Sequence, residues 1–292
     1  MSSENLIISL NTTNWIAGTN KYKYQFAQPL DLRGKKAELF VHQYGIYNCT
    51  FNISSKLKNN TYSVKWINGV TYNYTIQDGY YSFDQLNSVF KYNMINDKMY
   101  LQSATDDTKQ LFYIACLANK TAYTAEININ FFPSTLPENY IKAKNATWNM
   151  PSVNTYPQLI LSTGLRRLFG FTSQTTFPAS QTVSTPAKNL TFLSNTYPIL
   201  SPIFNYTILC NMVNSRVSQV PTHLYSIPLT AEFGFLIKNE GVSMHGVSVM
   251  PIVYNFIEIQ FVDQEYNVID LRDPEISLTF ILRIEDDDTN KK

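Results

Sequence analysis

Charged residues are scarce in this sequence. They make up 15% of the 292 residues, whereas ordinary soluble domains contain about 25%. Aromatic residues make up 14%, with 20 Tyr and 18 Phe. Because protein interfaces favour tyrosine and are depleted in charge, this composition suits a subunit whose surface is largely covered by neighbours. An AT-rich coding sequence would leave the same bias, and the composition alone favours neither explanation.

Basic runs and long apolar runs are both missing. The net charge is +1, so no broad cationic face and no specific nucleic-acid partner are predicted. No apolar run approaches the roughly 18 residues of a membrane span. The first five residues carry neither the cationic nor the apolar part of a secretory signal. We therefore expect a protein that is made in the cytoplasm and has no membrane span.

The residues that usually build catalytic or metal sites are few and widely spaced. The sequence has ten glycines, and it contains neither a phosphate-binding loop nor a nucleophile signature. Its cysteines and histidines form no disulfide framework and no metal-binding pair. These residues are Cys49, Cys116, Cys210, His42, His223 and His245. We predict no catalytic, cofactor-binding or metal-binding residue, no cofactor and no enzymatic activity.

Short alternating segments dominate the sequence. Ile257, Ile259 and Phe261 alternate with polar residues, and residues 276–284 continue with the same period of two. Both segments are predicted to be strands with one buried face. Similar segments begin near residue 6 and are separated by polar turns. Many short strands with little helix predict an all-β antiparallel sandwich or barrel.

Two stretches carry stronger local signals. Asn68-Gly69 separates two alternating segments and predicts a hairpin, because the turn requires positive φ. Ser82 and Gln85 have the spacing of a capping box, and the apolar residues that follow predict a short amphipathic helix from Ser82 to about residue 92. We interpret the hairpin and helix as a possible small insertion, over about 60–100, in one domain that spans residues 1–292. Residues 285–292 are predicted to form a solvated acidic and basic tail.

Further segments have weaker signals. Residues 163–171 are expected to form one helical turn, capped by Thr163 and ended by Gly170. Arg166 and Arg167 are interpreted as exposed residues of this turn rather than phosphate ligands. Residues 172–188 are rich in Ser, Thr, Gln and Pro, and they predict an exposed irregular loop. Asp263 and Asp273, between the last two segments, are interpreted as turn-forming residues.

Several motifs follow one another in a recognisable order. The chain ends with Val-Tyr-Asn-Phe-Ile-Glu-Ile-Gln-Phe-Val-Asp-Gln at 253–264 and Asp-Pro-Glu-Ile-Ser-Leu at 273–278. Earlier segments are 76–87, 165–171 ending in Leu-Phe-Gly-Phe, 206–214 and 224–228. In this order they resemble the minor capsid, or penton, proteins of virophages and Polinton-like (Maverick) viruses. The resemblance covers the chain from about residue 22 to residue 283.

The resemblance implies a fold and a function. It implies a single jelly-roll sandwich that forms homopentamers at the five-fold vertices of an icosahedral virion. Its partners would be further copies of itself and the major capsid protein of the same virion, after synthesis in the host cytoplasm. The last two strands would then lie in opposite sheets instead of pairing as a hairpin.

A second hypothesis from the residues is a carbohydrate-binding or adhesion module built on a β-sandwich. Trp15, Trp66 and Trp148 could stack on sugar rings in such a module. Burial in a hydrophobic core is the competing expectation for at least one of them.

Overall fold

The computed structural model describes residues 3–215, 218–240 and 245–286. It divides into two compact units. The first combines residues 1–50 with residues 203–292 and is called the jelly-roll unit below. The second consists of residues 51–202 and is called the inserted unit. Each unit is built mainly from antiparallel strands, so the prediction of an all-β protein is confirmed.

The secondary structure consists of many short strands and few helices. Among the described residues, the α-helices are α1 (Phe83–Asn96) and α2 (Thr163–Leu168). A 3-10 turn covers Thr12–Asn14. In chain order, the strands are β1 (Ser3–Asn11), β2 (Lys21–Asp31), β3 (Lys35–Tyr47), β4 (Thr61–Lys65), β5 (Thr71–Thr75), β6 (Leu101–Ser103), β7 (Gln110–Leu111), β8 (Ile114–Asn119), β9 (Thr124–Ile129), β10 (Tyr140–Lys142), β11 (Gln158–Leu161), β12 (Thr176–Phe177), β13 (Leu190–Leu193), β14 (Asn205–Cys210), β15 (His223–Pro228), β16 (Leu236–Glu240), β17 (Val247–Ser248), β18 (Val253–Val262) and β19 (Ile276–Asp286).

The described part of the jelly-roll unit contains two four-stranded sheets and one short additional strand. The first sheet has the order β1-β19-β3-β16, with β17 paired to β3, and the second has the order β15-β14-β18-β2. Consecutive strands alternate between the sheets along most of the chain, which is the double Greek-key connectivity of a jelly roll. The inserted unit interrupts this connectivity between β3 and β14.

The last two long strands lie in different sheets, as expected from the resemblance. β18 pairs with β14 and β2, while β19 pairs with β1 and β3. β19 extends to Asp286, where it pairs with Lys35, and Glu285 pairs with Ser3. The predicted tail therefore begins later than expected, because residues 285 and 286 complete the sheet. Residues 287–292 lie outside the described part.

One hydrophobic core fills the jelly-roll unit. The inward residues of β18, Ile257, Ile259 and Phe261, are fully buried together with Leu278 and Phe280 of β19. The period-two pattern places these side chains on the inner faces of the two sheets. Polar residues such as Glu258 alternate with them, and Glu258 forms a 3.0 Å ion pair with Lys21.

The inserted unit has its own core and three small sheets. Their orders are β10-β6-β7, β12-β11-β4-β5 and β13-β9-β8. At the centre, Trp66, Phe132 and Trp148 form edge-to-face contacts with ring centroids 5.4–5.9 Å apart. The sequence predicts a possible small insertion over about 60–100 in one domain, whereas the structure places all of residues 51–202 in a separate compact unit. No polar linker marks its ends in the sequence.

The predicted hairpin and the predicted helix are both present in the structure, as β4–β5 and α1. β4 pairs with β5 from Thr61↔Thr75 to Lys65↔Thr71, and Gly69 has φ +79 in the turn. Ser82 Oγ accepts a hydrogen bond from the Gln85 amide, while Gln85 Oε1 accepts one from the Ser82 amide. α1 continues to Asn96, beyond the predicted end near residue 92, because Met94 extends its buried face. No helix among the described residues is long and apolar enough to span a membrane.

Two local expectations are corrected. α2 is capped by Ser162, whose side chain accepts a hydrogen bond from the Leu165 amide, and not by Thr163. Gly170 follows α2 with φ +81, as the sequence predicted. The segment 172–188 includes the short strand β12, and its Phe177 is fully buried in the inserted unit. The polar composition of this segment gave no indication that Phe177 would be buried.

Candidate functional site

The histidines lie on separate elements of the jelly-roll unit. His42 is exposed on β3 and His245 is exposed after β16. His223 Nδ1 lies 3.0 Å from the Tyr266 hydroxyl, and burial lowers the pKa of His223. In the part of the chain that the structure describes, no three His, Cys, Asp or Glu side chains are grouped as metal ligands.

A cluster around Cys49 fixes the segment between β18 and β19. The Asp273 amide donates to Cys49 Sγ at 3.4 Å, and the Tyr22 hydroxyl donates to the Pro274 carbonyl at 2.8 Å. Burial raises the pKa values of Cys49, Tyr22 and Tyr206. A thiol with a raised pKa is a poor nucleophile, because the thiolate is the reactive form. The cluster therefore has a structural role. The other two cysteines, Cys116 and Cys210, are also buried thiols.

The same segment is ordered by two aspartates. Asp263 accepts hydrogen bonds from the Glu265 and Asn267 amides, both at 2.8 Å, and from the Asn267 side chain at 3.1 Å. Asp273 Oδ1 accepts one from the Glu275 amide at 2.9 Å. The interpretation of both residues as turn formers is confirmed by these bonds.

The tryptophans are not arranged for sugar stacking. Trp66 and Trp148 are fully buried in the core of the inserted unit. Trp15 is half-buried, and its indole N–H donates to the Thr19 carbonyl at 2.7 Å. The carbohydrate-binding hypothesis therefore loses two of the three side chains on which it depended.

The two arginines of α2 differ in environment. Arg166 is half-buried and donates to the Ser173 carbonyl at 2.7 Å. Arg167 is exposed, and its guanidinium has no hydrogen-bond or ion-pair partner among the described residues. The prediction that both are exposed therefore holds for Arg167 alone.

Exposed apolar side chains mark opposite edges of the first sheet in the jelly-roll unit. Ile7 on the edge strand β1 is 73% exposed. At the other edge, Phe235 precedes β16 and is 62% exposed, and Leu236 on β16 is 44% exposed. Large apolar side chains in such positions are candidates for contacts with other molecules.

The inserted unit presents a second apolar surface on its β13-β9-β8 sheet. Leu117 of β8 and Leu193 of β13 are both paired with Glu126 of β9, so the three side chains form one row across the outer face. Tyr123 lies in the turn between β8 and β9, and its ring packs against that of Tyr197 with centroids 6.2 Å apart. Sequence reasoning missed this surface because β13 lies more than sixty residues from β9.

Comparison with known proteins gives matches among solved structures only. No family model matches the chain, and no curated protein matches it. The chain is similar to the penton protein of mavirus, with a TM-score of 0.46, 10% identity, and coverage of 98% of this chain and 99% of that chain. It is also similar to a chain of the Sputnik virophage structure determined by cryo-EM, with a TM-score of 0.42, 11% identity, and coverage of 99% of both chains.

The identities and TM-scores are low, so the assignment of a jelly roll rests on the strand order of this chain itself.

Proposed function

We propose that the chain is a structural protein of a viral capsid and not an enzyme. Two features support the proposal. The ordered motifs between about residue 22 and residue 283 resemble penton proteins, and that resemblance implied a jelly roll whose last two strands lie in opposite sheets. The observation that carries the proposal is the strand order β1-β19-β3-β16 and β15-β14-β18-β2, which has this arrangement.

The more specific proposal is a penton subunit. Five copies would form a ring at each five-fold vertex of an icosahedral virion, in contact with the major capsid protein, after synthesis in the host cytoplasm. A ring requires heterologous contacts, in which one surface of a subunit binds a different surface of the next. The exposed side chains at opposite edges of the first sheet, Ile7 on β1 and Leu236 on β16, supply two different apolar surfaces.

The energetic case rests on burial of apolar area. Removing such surface from water contributes about 25 cal/mol per Å² before the costs of association. A surface with few charges loses little hydration free energy on assembly, because burying an unpaired charge is costly. The composition of 15% charged and 14% aromatic residues fits this requirement.

Size-exclusion chromatography with light scattering tests the proposal, together with negative-stain images. Five chains of 33.5 kDa give a particle of about 168 kDa, which should appear as five-fold rings. A chain that stays monomeric at every concentration and salt condition would contradict the proposal.

A further inference from the structure

The row of Leu117, Glu126 and Leu193 has an unbalanced negative charge. Asn119 Nδ2 donates to Glu126 Oε2 at 3.0 Å, and Asn128 Nδ2 donates to Oε1 at 2.7 Å. Asn128 is fixed in turn, because its Oδ1 accepts from the Thr191 hydroxyl at 2.7 Å. No cation lies within ion-pair distance of Glu126 among the described residues. The carboxylate is thus oriented, flanked by two leucines and unpaired.

One member of the tyrosine pair beside this row, Tyr123, has an uncommon backbone conformation. Tyr123 has φ +53, a region that glycine enters freely and that bulky residues rarely adopt. The Asn119 side chain accepts from the Ala122 amide at 3.0 Å and stabilises the turn. The result is a ring that is 72% exposed and packs against Tyr197, itself 61% exposed. Backbone outliers of this kind concentrate at sites of function.

An exposed positive charge lies beside the residue to which the segment after β13 is hydrogen-bonded. From Leu193, the chain passes through Tyr197 to Ile199, whose amide donates to the Leu168 carbonyl at 2.8 Å. Leu168 is adjacent to the exposed and unpaired Arg167, and Ile199 is 45% exposed. Ile199 is six positions after Leu193, so this segment spans at most about 22 Å.

These residues, which the chain connects from Leu193 to Ile199, are called the strip, and its two ends carry opposite charges. The acidic end consists of Glu126 between Leu117 and Leu193, the middle consists of Tyr123 and Tyr197, and the basic end consists of Arg167 beside Ile199. We propose that this strip joins neighbouring copies of the chain head to tail, with the acidic end of one copy binding the basic end of the next.

The charges at the two ends of the strip indicate which partner binds it. The acidic end needs a partner that presents a cation beside apolar side chains, and the basic end of a second copy has that chemistry. Arginine suits the role because its planar guanidinium binds a fixed carboxylate through two hydrogen bonds and also stacks on tyrosine. A contact between different ends is heterologous and can close into a ring. The inference deepens the proposed function, on which it rests, by naming a subunit interface.

Charge reversal in the full chain tests the strip. Glu126→Arg and Arg167→Glu should each raise the protein concentration for half-assembly by roughly tenfold or more, because attraction is replaced by repulsion. The double variant restores opposite charges and should recover most of the loss. Glu126→Gln, which keeps a side-chain oxygen for the asparagines, should weaken assembly less. Light scattering over a concentration series measures all four.

Matched controls separate the strip from general charge effects. Glu138→Arg and Lys144→Glu change exposed charges on another segment of the inserted unit and should leave assembly unchanged. Circular dichroism and the urea midpoint establish that each variant is folded.

The outcomes distinguish the two proposals. Wild-type pentamers that are insensitive to both single reversals would overturn the strip and leave the penton proposal intact. A wild-type dimer that both reversals dissociate and the double variant restores would support the strip and overturn the pentamer. A wild-type monomer under all conditions would overturn both. Single-variant losses without recovery in the double variant would exclude a direct pairing of Glu126 with Arg167.

Discussion

Replacing Asp263 with alanine should destabilise the jelly-roll unit selectively. Asp263 is 9% exposed, and its carboxylate accepts three hydrogen bonds from Glu265 and Asn267 at 2.8–3.1 Å. A hydrogen bond to a charged acceptor contributes about 1.5–3 kcal/mol when buried. Because the two amides lie near the surface and water can replace part of the loss, we expect a decrease of about 2–4 kcal/mol in the free energy of unfolding.

Hydrogen exchange with mass spectrometry can locate this effect. Peptides from β18 and β19 should exchange faster in Asp263→Ala, while those from β4 and β5 in the inserted unit should keep their protection, because each unit has its own core. Asp263→Asn is the matched variant. It retains one oxygen that can accept from both amides, so its effect should be clearly smaller.

Asp106 provides a second control. Its carboxylate accepts from the Thr108 amide and hydroxyl in a similar turn of the inserted unit, but the turn is exposed. Asp106→Ala should therefore leave β18 and β19 unaffected. Equal losses for Asp263→Ala and Asp263→Asn, or a loss spread evenly over both units, would refute the assignment of stability to these oriented hydrogen bonds.

Three other predictions concern single positions. Gly69→Ala should lower the stability of the inserted unit by about 1–2 kcal/mol, because φ is +79 there; thermal unfolding measures the loss, and an unchanged melting temperature would contradict it. Ser82→Ala should cost about 0.5–2 kcal/mol through loss of the N-cap of α1, visible as faster amide exchange in its first turn, whereas Ser82→Asp should retain the cap. Burial lowers the pKa of His223, so below its usual pKa of 6.5 the unfolded chain binds protons more readily than the folded chain. The stability contributed by neutral His223 is therefore complete above pH 6.5 and is lost as the pH falls through the lower pKa of the folded state. Urea unfolding should show a shallower acid-side decline in His223→Gln, and identical pH profiles would argue against the effect.

Local signals predicted the elements whose structure depends on near neighbours. The Asn68-Gly69 turn and the Ser82–Gln85 capping box require only a few residues each, and both form as expected. The alternation in 257–261 and 276–284 likewise determines which side chains are buried. Assignment of these two strands to opposite sheets required the resemblance, because alternation does not specify a pairing partner.

Features that depend on distant residues were not predictable in the same way. β13 pairs with β9 across more than sixty residues, and that pairing creates the row of Leu117, Glu126 and Leu193. The size of the inserted unit was missed because its boundaries at residues 51 and 202 carry no distinctive composition. Phe177 was assigned to an exposed loop because its neighbours are polar, although one aromatic side chain is sufficient to anchor a segment.

The position of the inserted unit has a consequence for synthesis on the ribosome. Residues 51–202 form a continuous segment with its own core, so this unit can complete its fold while the following residues are still being added. The jelly-roll unit cannot complete its fold at that stage, because β19 lies between β1 and β3. Until residues 276–286 emerge, those two strands have unpaired edges, and pairing across such long sequence separations is slow. Newly made chains are therefore exposed to mispairing between the edges of β1 and β3 until the final strand inserts.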